Sequence, residues 1–222
     1  MPAVKVNDGP VAVTGASGYV GSHVVLALME RGYQVRACIT DPNNPDKTRH
    51  LLAMNEQGLP GKLSLHKANL LEEGSYDDAF AGCTGVFHVG TAMGYGGANK
   101  PQQVYDGAIN GTLNVVNSLK KAGTVKRLIY TSSFAAISHP APPGYQYSES
   151  DWASDNRDQD PNWNTENLDE KGEVGYAMAK VECEQMIKRL AEEDGRFDAI
   201  SVCPIVVLGP LLSPVHELVY SW

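Results

Sequence analysis

A strand, a glycine-rich turn and a helix follow one another at residues 11–29, and this arrangement constrains the fold more than any other part of the chain. Val11 to Val13 are a short apolar run typical of a buried strand. Gly15, Gly18 and Gly21 follow at a spacing of three, and apolar residues at helical spacing begin directly behind them. The N-terminus of such a helix presents free backbone N–H groups and the positive end of its dipole, which favour an anion. The pattern predicts a site for a dinucleotide pyrophosphate, with the glycines allowing the turn, the approach of the ligand and close helix–strand packing.

Strand and helix patterns alternate through the rest of the chain. Further strands are expected at 33–39, 62–68, 85–90, 126–130 and 197–207, and helices at 47–57, 75–80, 102–121 and 173–194. Strands that alternate with helices imply right-handed crossovers and a parallel, doubly wound sheet of the α/β class. We therefore expect residues 1–222 to form one dinucleotide-binding domain. Residues 135–172 show no clear period, and we expect this long loop to lie on the substrate side.

Charge and composition argue against several other classes of protein. The chain has 222 residues and a formal net charge of -8, whereas a protein that binds nucleic acid is expected to have a basic face. It has no run of about 18 apolar residues that would predict a transmembrane helix, and its N-terminus lacks the apolar core of a signal peptide. The four cysteines are scattered without a zinc-binding spacing, so we expect no metal site and reduced thiols in a cytoplasmic protein.

Tyr176 and Lys180 indicate the chemistry. They are four residues apart in a helical segment, so they lie on one face of the helix, one turn apart. An ammonium group near a phenol stabilises the phenolate, and we expect Lys180 to lower the pKa of Tyr176 from its usual value of ~10. Tyr176 could then give a proton to a carbonyl oxygen, while Ser133, at the end of a neighbouring strand, hydrogen-bonds the same oxygen. The hydride would come from a nicotinamide.

Ligands of doubly wound sheets lie beyond the carboxyl ends of the strands, which places the dinucleotide. Its pyrophosphate is expected at Gly18, its adenine ribose near Thr40, and its nicotinamide near Ser133 and Pro204. An NAD site usually has an acid at the end of the second strand, but Thr40 stands there in this sequence. Basic residues nearby slightly favour a 2′-phosphate; they are Arg36, Lys47 and Arg49.

Motifs that cover nearly the whole chain carry a resemblance to a known family; they lie at 13–22, 30–37, 82–89, 130–133, Tyr176 with Lys180, and 204–210. The chain resembles the extended short-chain dehydrogenases/reductases of the dihydroflavonol reductase and cinnamoyl-CoA reductase group, in the NAD-dependent epimerase/dehydratase superfamily. The resemblance implies a Rossmann fold and a catalytic triad of Ser133, Tyr176 and Lys180. Proteins of this group continue into a smaller C-terminal lobe that closes over the substrate. Residues 209–222 are expected to be the start of that lobe, with the remainder missing.

The glycine turn and the resemblance together predict the cofactor contacts. These are Gly15, Gly18, Tyr19, Val20, Gly21, Thr40, Lys47, Asn69, Leu70, Gly90, Thr91, Tyr176, Lys180, Pro204 and Val207. Thr40 stands where the group usually has an arginine that binds NADP, and Asn69 stands where it usually has an aspartate. The expected cofactor is NADP, with NAD as the alternative.

The resulting functional hypothesis is a cytoplasmic NAD(P)H-dependent carbonyl reductase. Its substrate is expected to be a small aldehyde or ketone with a hydrophobic or aromatic body. One alternative is a sugar-nucleotide epimerase or dehydratase, which uses the same triad with tightly held NAD. Another is a non-catalytic dinucleotide sensor on the same fold. A homodimer is left open, and no nucleic acid or membrane is expected as a partner.

For three further groups of residues, a structural role is considered first. His88 lies in an apolar strand and is expected to be a core histidine whose hydrogen bonds are satisfied. The acidic stretch at 149–160 is read as a solvated loop, with a cation site as the alternative. Trp152 and Trp163 either line a substrate pocket or anchor the long loop.

Overall fold

Six parallel strands form one sheet in the order β3-β2-β1-β4-β5-β6. The strands are β1 (Val11–Thr14), β2 (Gln34–Ile39), β3 (Lys62–Lys67), β4 (Gly85–His88), β5 (Arg127–Thr131) and β6 (Asp198–Val202). The computed structural model describes residues 4–92, 100–157, 160, 163–164, 166, 168–171 and 173–219. The strand order reverses between β1 and β4, and this is the point where doubly wound sheets bind ligands. The predicted Rossmann architecture is confirmed.

Helices cover both faces of the sheet. They are α1 (Tyr19–Glu30), α2 (Pro45–Met54), α3 (Asp77–Phe80), α4 (Pro101–Ala122), α5 (Leu168–Lys171) and α6 (Glu173–Asp194), with 3₁₀ turns at Phe134–Ala136 and Pro214–Val219. One face packs on α1 and α2 through residues such as Val11 and Val13, and the other packs on α4 and α6 through Ala12. Successive residues of β1 therefore enter opposite cores, as the period of two in a strand requires. Among the described residues, no helix combines the length and the apolar composition that a membrane span requires.

The glycine turn brings β1, α1 and the end of β4 into backbone contact. Gly15 has φ of +63°, and a Cβ there would lie 2.6 Å from the Cα of Gly90. A Cβ on Gly21 would lie 2.1 Å from the carbonyl oxygen of Gly15. Only glycine allows both approaches, so the first and third glycines act as the sequence predicts.

The sixth strand and the long loop differ most from the predicted boundaries. The sixth strand was expected to continue to Val207, but β6 ends at Val202. Pro204 has no N–H to offer a ladder, and the side chains of Ile205 and Val206 are exposed instead of packed. The loop expected at 135–172 contains the 3₁₀ turn at Phe134–Ala136 and the short helix α5, although several of its residues lie outside the described ranges.

The segment after β6 folds back over the glycine turn. The carbonyl oxygen of Pro210 lies 2.8 Å from Nε2 of His23, and Nε2 of His216 lies 3.1 Å from the carbonyl oxygen of Ser17. Leu212 packs against the core on the α1 side, whereas Leu211 is exposed. Residues 220–222 of the segment expected at 209–222 lie outside the described residues.

Candidate active site

A cleft of about 560 Å³ lies at the carboxyl ends of β1, β2, β3 and β4. Eleven of the predicted cofactor contacts line it: Gly15, Gly18, Tyr19, Val20, Gly21, Thr40, Lys47, Asn69, Leu70, Gly90 and Thr91. A larger groove of about 1040 Å³ follows β6 and α6, but it contains none of the predicted site residues. We therefore identify the smaller cleft, at the reversal of strand order, as the candidate dinucleotide site.

The glycine turn forms one wall of the cleft and is held by its own hydrogen bonds. Gly18 is the N-cap of α1, and its N–H donates to the carbonyl oxygen of Gly15 at 3.0 Å. The Ser22 hydroxyl lies 2.7 Å from the carbonyl oxygen of Gly18 and 3.0 Å from that of Ala16. The first turn of α1 contains no acidic residue, so the partial positive charge of the helix N-terminus is not offset there. This wall can accept an anion.

The far end of the cleft lies beside β2 and β3. The Lys47 ammonium donates to the Thr40 hydroxyl at 3.2 Å, which places a positive charge at the end of β2. The Asp41 carboxylate accepts the N–H of Asn43 at 3.0 Å within its own turn. The Asn69 side-chain oxygen accepts the N–H of Leu71 at 3.1 Å. This end therefore offers a basic group and a hydroxyl together.

Asn114 of α4 fixes the corner that follows β3. Its side-chain amide donates to the carbonyl oxygen of Leu70 at 2.8 Å. Ser75 bonds both backbone groups of Asn69, at 3.0 Å to the N–H and 2.7 Å to the carbonyl oxygen. The Asn69–Leu70 corner is thus held from two directions.

Lys180 lies where the cleft meets the end of β5. The residue is 3% exposed, and Nζ donates to the Thr91 hydroxyl at 3.1 Å, to the Tyr130 hydroxyl at 3.3 Å and to the carbonyl oxygen of Thr131 at 3.0 Å. These three partners match the three N–H donors of an ammonium group. Burial lowers the pKa of Lys180 to about 8, so it remains largely protonated at neutral pH.

Tyr176 and Ser133 lie beside Lys180. The Lys180 Nζ atom is 5.7 Å from the centroid of the Tyr176 ring. Burial raises the pKa of Tyr176, and a hydrogen bond with Ser133 opposes this rise. The expectation that Lys180 lowers the pKa of Tyr176 below its usual value is wrong for this structure, because desolvation of the phenolate is the largest effect. The structure brings Ser133, Tyr176 and Lys180 together, with Tyr176 in its protonated form.

Pro204 and Val207 do not line the cleft. The carbonyl oxygen of Pro204 accepts the N–H of Phe134 at 2.8 Å, so Pro204 lies next to the end of β5 near Ser133. Val207 is 38% exposed. Their predicted contacts with the cofactor remain predictions.

The acidic stretch contains a buried hydrogen-bond network. His139, Asp151 and Asp155 bring possible metal ligands within 4.8 Å of one another. However, Asp151 already accepts hydrogen bonds from His139, from the Tyr145 hydroxyl, and from the backbone and side chain of Ser148. These bonds hold the pKa of Asp151 well below its usual range. Asp151 is therefore part of the loop's internal framework, and the solvated-loop interpretation does not hold for it.

Trp152 and Trp163 pack against a small buried cluster that is formed by Ala136, Ala153 and Val181 of α6. The Arg157 guanidinium lies 4.7 Å from the centroid of the Trp163 ring. These contacts support the anchoring role over the pocket role, although Trp152 also lines the larger groove.

Sequence reasoning missed several residues of the site. Ser17, Ile39, Tyr76 and Ala92 line the cleft, and Thr14 lies behind it with hydrogen bonds to the N–H groups at the end of β4. Thr14 could have been found, because it is the polar residue that ends the buried first strand directly before the glycine turn. Tyr76 carries no such local signal, since it reaches the cleft only through the packing of α3.

The chain is similar to known proteins over most of its length. Residues 11–219 match the family model described as "NAD dependent epimerase/dehydratase family". The chain is 39% identical to dihydroflavonol 4-reductase of Hordeum vulgare over 210 residues, and 38% identical to cinnamoyl-CoA reductase CAD2 of Medicago truncatula over 209 residues. These alignments cover 93% and 92% of this chain but 55% and 60% of the relatives. Vestitone reductase from alfalfa (Medicago sativa L.) superposes with a TM-score of 0.71 at 27% identity, over 93% of this chain and 59% of that one.

Proposed function

Because this chain belongs to the NAD dependent epimerase/dehydratase family, we propose that it binds NADPH and reduces a carbonyl group of a small molecule, with Tyr176 as the proton donor. One observation carries the proposal: Thr91 connects the candidate dinucleotide cleft with the side chains of Lys180 and Tyr176. Thr91 lines the cleft, and its hydroxyl accepts a hydrogen bond from Lys180, which lies beside Tyr176. The two relatives and the alfalfa protein are all named reductases, which supports a reduction.

The shape of the cleft suits a dinucleotide. Gly18 is the N-cap of α1 and lines the cleft, so an anion bound there would meet the free N–H groups of the first helical turn. We assign the pyrophosphate to Gly18 and the first turn of α1, and the adenine to the corner at Asn69. Thr91 would then face the nicotinamide half.

We propose NADPH as the preferred coenzyme because of the groups at the end of β2. Lys47 and Thr40 offer an ammonium and a hydroxyl to a 2′-phosphate. Asp41, the nearest acid in sequence, accepts the N–H of Asn43 within its own turn and does not line the cleft, so no carboxylate is in place for a ribose hydroxyl there. The preference should be modest, since Lys47 supplies a point charge and not the two-pronged contact that an arginine makes.

The side chains at the end of β5 can then carry out the protonation. The bound nicotinamide supplies the hydride. Tyr176 keeps its proton at neutral pH because burial raises its pKa, and it can donate that proton to the carbonyl oxygen. Ser133, which shares a hydrogen bond with Tyr176, can bond the same oxygen and orient it. Lys180 places a buried positive charge near the phenolate that remains after transfer, which favours that product.

An epimerase or dehydratase is the second candidate. The name of the matched family favours it, and the three side chains would serve it equally well. Such an enzyme returns the hydride to its substrate and keeps NAD bound, so NAD should remain with the protein through purification. A reductase exchanges its coenzyme in every cycle and should be purified without it.

Cellular location, assembly and domain roles are part of the same proposal. All four cysteines are free, with Cys38, Cys83 and Cys183 buried, which fits a reducing cytoplasm. We propose that the described chain is the dinucleotide-binding domain and that the loop at 135–172 lies on the substrate side. A homodimer remains a prediction, to be checked by sedimentation.

Side-by-side titration of NADPH and NADH, followed by a panel of aromatic and aliphatic carbonyl compounds, tests the proposal. We expect tighter binding of NADPH and its oxidation with at least one carbonyl compound. Binding of neither coenzyme, or a preference for NADH, would contradict the coenzyme assignment. NAD that is retained through purification, without net oxidation of NADPH by any carbonyl compound, would favour the epimerase.

A further inference from the structure

His88, at the end of β4, is buried behind the cleft with both ring nitrogens paired. It is 1% exposed, its Nδ1 lies 2.9 Å from the Thr14 hydroxyl, and its Nε2 lies 3.2 Å from the Thr112 hydroxyl. The sequence-based interpretation as a satisfied core histidine is therefore correct. Its partners, however, belong to β1 and α4, so the ring links this strand and this helix through hydrogen bonds.

The direction of these hydrogen bonds can be deduced from the capacity of each group. The Thr14 hydroxyl accepts the N–H of Val89 at 3.2 Å and that of Gly90 at 3.3 Å, which occupies both of its lone pairs. Its single hydrogen must then go to Nδ1 of His88, which is unprotonated. The proton of the neutral ring lies on Nε2 and is donated to Thr112. Burial lowers the pKa of His88 to about 3, so the ring is neutral.

The chain of hydrogen bonds continues to the helix that carries Lys180. The Thr112 hydroxyl donates to Sγ of Cys183 at 3.4 Å. Tyr130, which accepts a hydrogen bond from Lys180, also bonds the Cys183 sulfur. Two series of hydrogen bonds, one from His88 and one from Lys180, therefore meet at one thiol.

His88 also reaches the surroundings of Lys180 by two other routes. Its ring packs against the Tyr130 ring, with centroids 5.4 Å apart. Through Thr14 it holds the N–H of Gly90, next to Thr91, whose hydroxyl is a partner of Lys180. Two of the three partners of the Lys180 ammonium are thus positioned from the His88 side.

We propose that His88 is a positioning residue for the Gly90–Thr91 corner and for Lys180, acting as a neutral connector that accepts from β1 and donates to α4. This inference rests on the proposed function for its effect on NADPH binding. It does not make His88 a catalytic residue, since the ring touches neither the cleft nor the reacting groups. Its task is to keep Gly90 against the turn and Thr91 against Lys180.

The tautomer of His88 gives a test that needs no coenzyme. Nitrogen NMR of the imidazole should show a neutral ring protonated on Nε2 from pH 5 to pH 9. Hydrogen exchange at the N–H of Gly90 should be slow in the unmodified protein. A ring protonated on Nδ1, or one that titrates in this range, would overturn the proposal.

Matched variants then separate positioning from general stability. His88→Phe keeps the ring against Tyr130 but loses both hydrogen bonds, and Thr14→Val loses the acceptor for Gly90. Both should speed exchange at Gly90 and weaken NADPH binding by about tenfold, and Thr14→Ser should restore both properties. His88→Asn keeps an acceptor near Thr14, so it should affect Gly90 less than His88→Phe.

Thr84→Val serves as the control. Thr84 is a buried threonine that directly precedes β4, at the end of the strand opposite to His88, and its hydroxyl lies 3.5 Å from the carbonyl oxygens of Gly9 and Pro10. It should lower the unfolding midpoint without changing exchange at Gly90. Equal behaviour of His88→Phe and Thr84→Val would refute the positioning role, and so would wild-type exchange at Gly90 in Thr14→Val. If the unmodified protein binds no NADPH, the proposed function fails, and the tautomer and exchange data still decide this inference.

Discussion

The two halves of the candidate site, the glycine turn and the end of β5, are held together by different kinds of contact. At the glycine turn the tight contacts join backbone to backbone, as between Gly15 and Gly90. At the end of β5 the contacts join side chains from distant parts of the sequence, as between Lys180, Thr91 and Tyr130. The first half depends on the absence of side chains, and the second depends on their chemistry.

This difference also decides how each half can fail. A side chain added at the turn displaces the backbone and with it the ligand, whereas a group removed at the end of β5 leaves the backbone in place. Ligand binding and chemistry should therefore be separable by single substitutions. Lys180 is the exception, because it bonds both Thr91 of the cleft and Thr131 of β5.

Tyr176→Phe should have the largest effect, and it should impair the chemical step without impairing coenzyme binding. It removes the proton donor and keeps the ring, so the turnover number should fall by roughly 10²–10⁴ while the dissociation constant of NADPH stays nearly unchanged. Steady-state kinetics and a fluorescence titration measure the two quantities.

Tyr105→Phe is the matched control for this change. Its hydroxyl bonds Glu182 at 2.5 Å, between α4 and α6 and away from the cleft. It should alter stability without a comparable loss of turnover. A Tyr176→Phe enzyme that keeps more than about a tenth of the normal turnover would remove Tyr176 from its role, since general acid catalysis contributes at least about 10².

Gly21→Ala should instead weaken coenzyme binding at the glycine turn. The added Cβ would lie 2.1 Å from the carbonyl oxygen of Gly15, so the turn must shift. Overpacking of this kind costs about 1–3 kcal/mol, and a similar loss in binding corresponds to about 5- to 150-fold weaker NADPH affinity. The turnover number at saturating NADPH should change less than the affinity.

Gly58→Ala provides a comparison without a clash. Gly58 has φ of +68°, and nothing lies within 4 Å of a Cβ placed there. An alanine in this conformation costs about 1–2 kcal/mol of stability through backbone strain alone. If Gly58→Ala weakened NADPH binding as much as Gly21→Ala, the effect would reflect stability and not the shape of the turn.

The sequence was sufficient to predict the parts of the molecule whose cause is local. The glycine turn is one such part, because its spacing and its flanking apolar residues are contiguous in the chain. The cleft contacts such as Thr40 and Asn69 were also predicted, since parallel strands bring their carboxyl ends to one edge once the alternation is recognised.

The parts that sequence reasoning missed depend on packing between distant elements. The raised pKa of Tyr176 results from burial, which a pattern of residues four apart does not reveal. The bonds of His139 and Tyr145 to Asp151 form inside an aperiodic loop where no repeat indicates which side chains meet. The early end of β6 reflects the proline that follows it, which the run of apolar residues concealed.

The smallest predicted effect is a pH dependence that arises where the two halves join. The pKa of Lys180 is lowered to about 8 by burial, so the ammonium loses its proton as the pH rises through that value. The neutral amine can no longer supply three donors together with a positive charge. Both its bond to Thr91 at the cleft and its stabilisation of the Tyr176 phenolate are then weakened.

The ratio kcat/KM for NADPH reports on groups of the free enzyme, so it should be constant below pH 7, fall to about half near pH 8 and decline further above it. Lys180→Arg retains a charge at every pH in this range, although its planar group fits the three partners of Lys180 less well. It should therefore show lower values throughout but no decline near pH 8. A wild-type profile that stays flat to pH 9.5, or an unchanged decline in Lys180→Arg, would assign the alkaline limb to another group. In that case Lys180 would not connect the two halves through its charge.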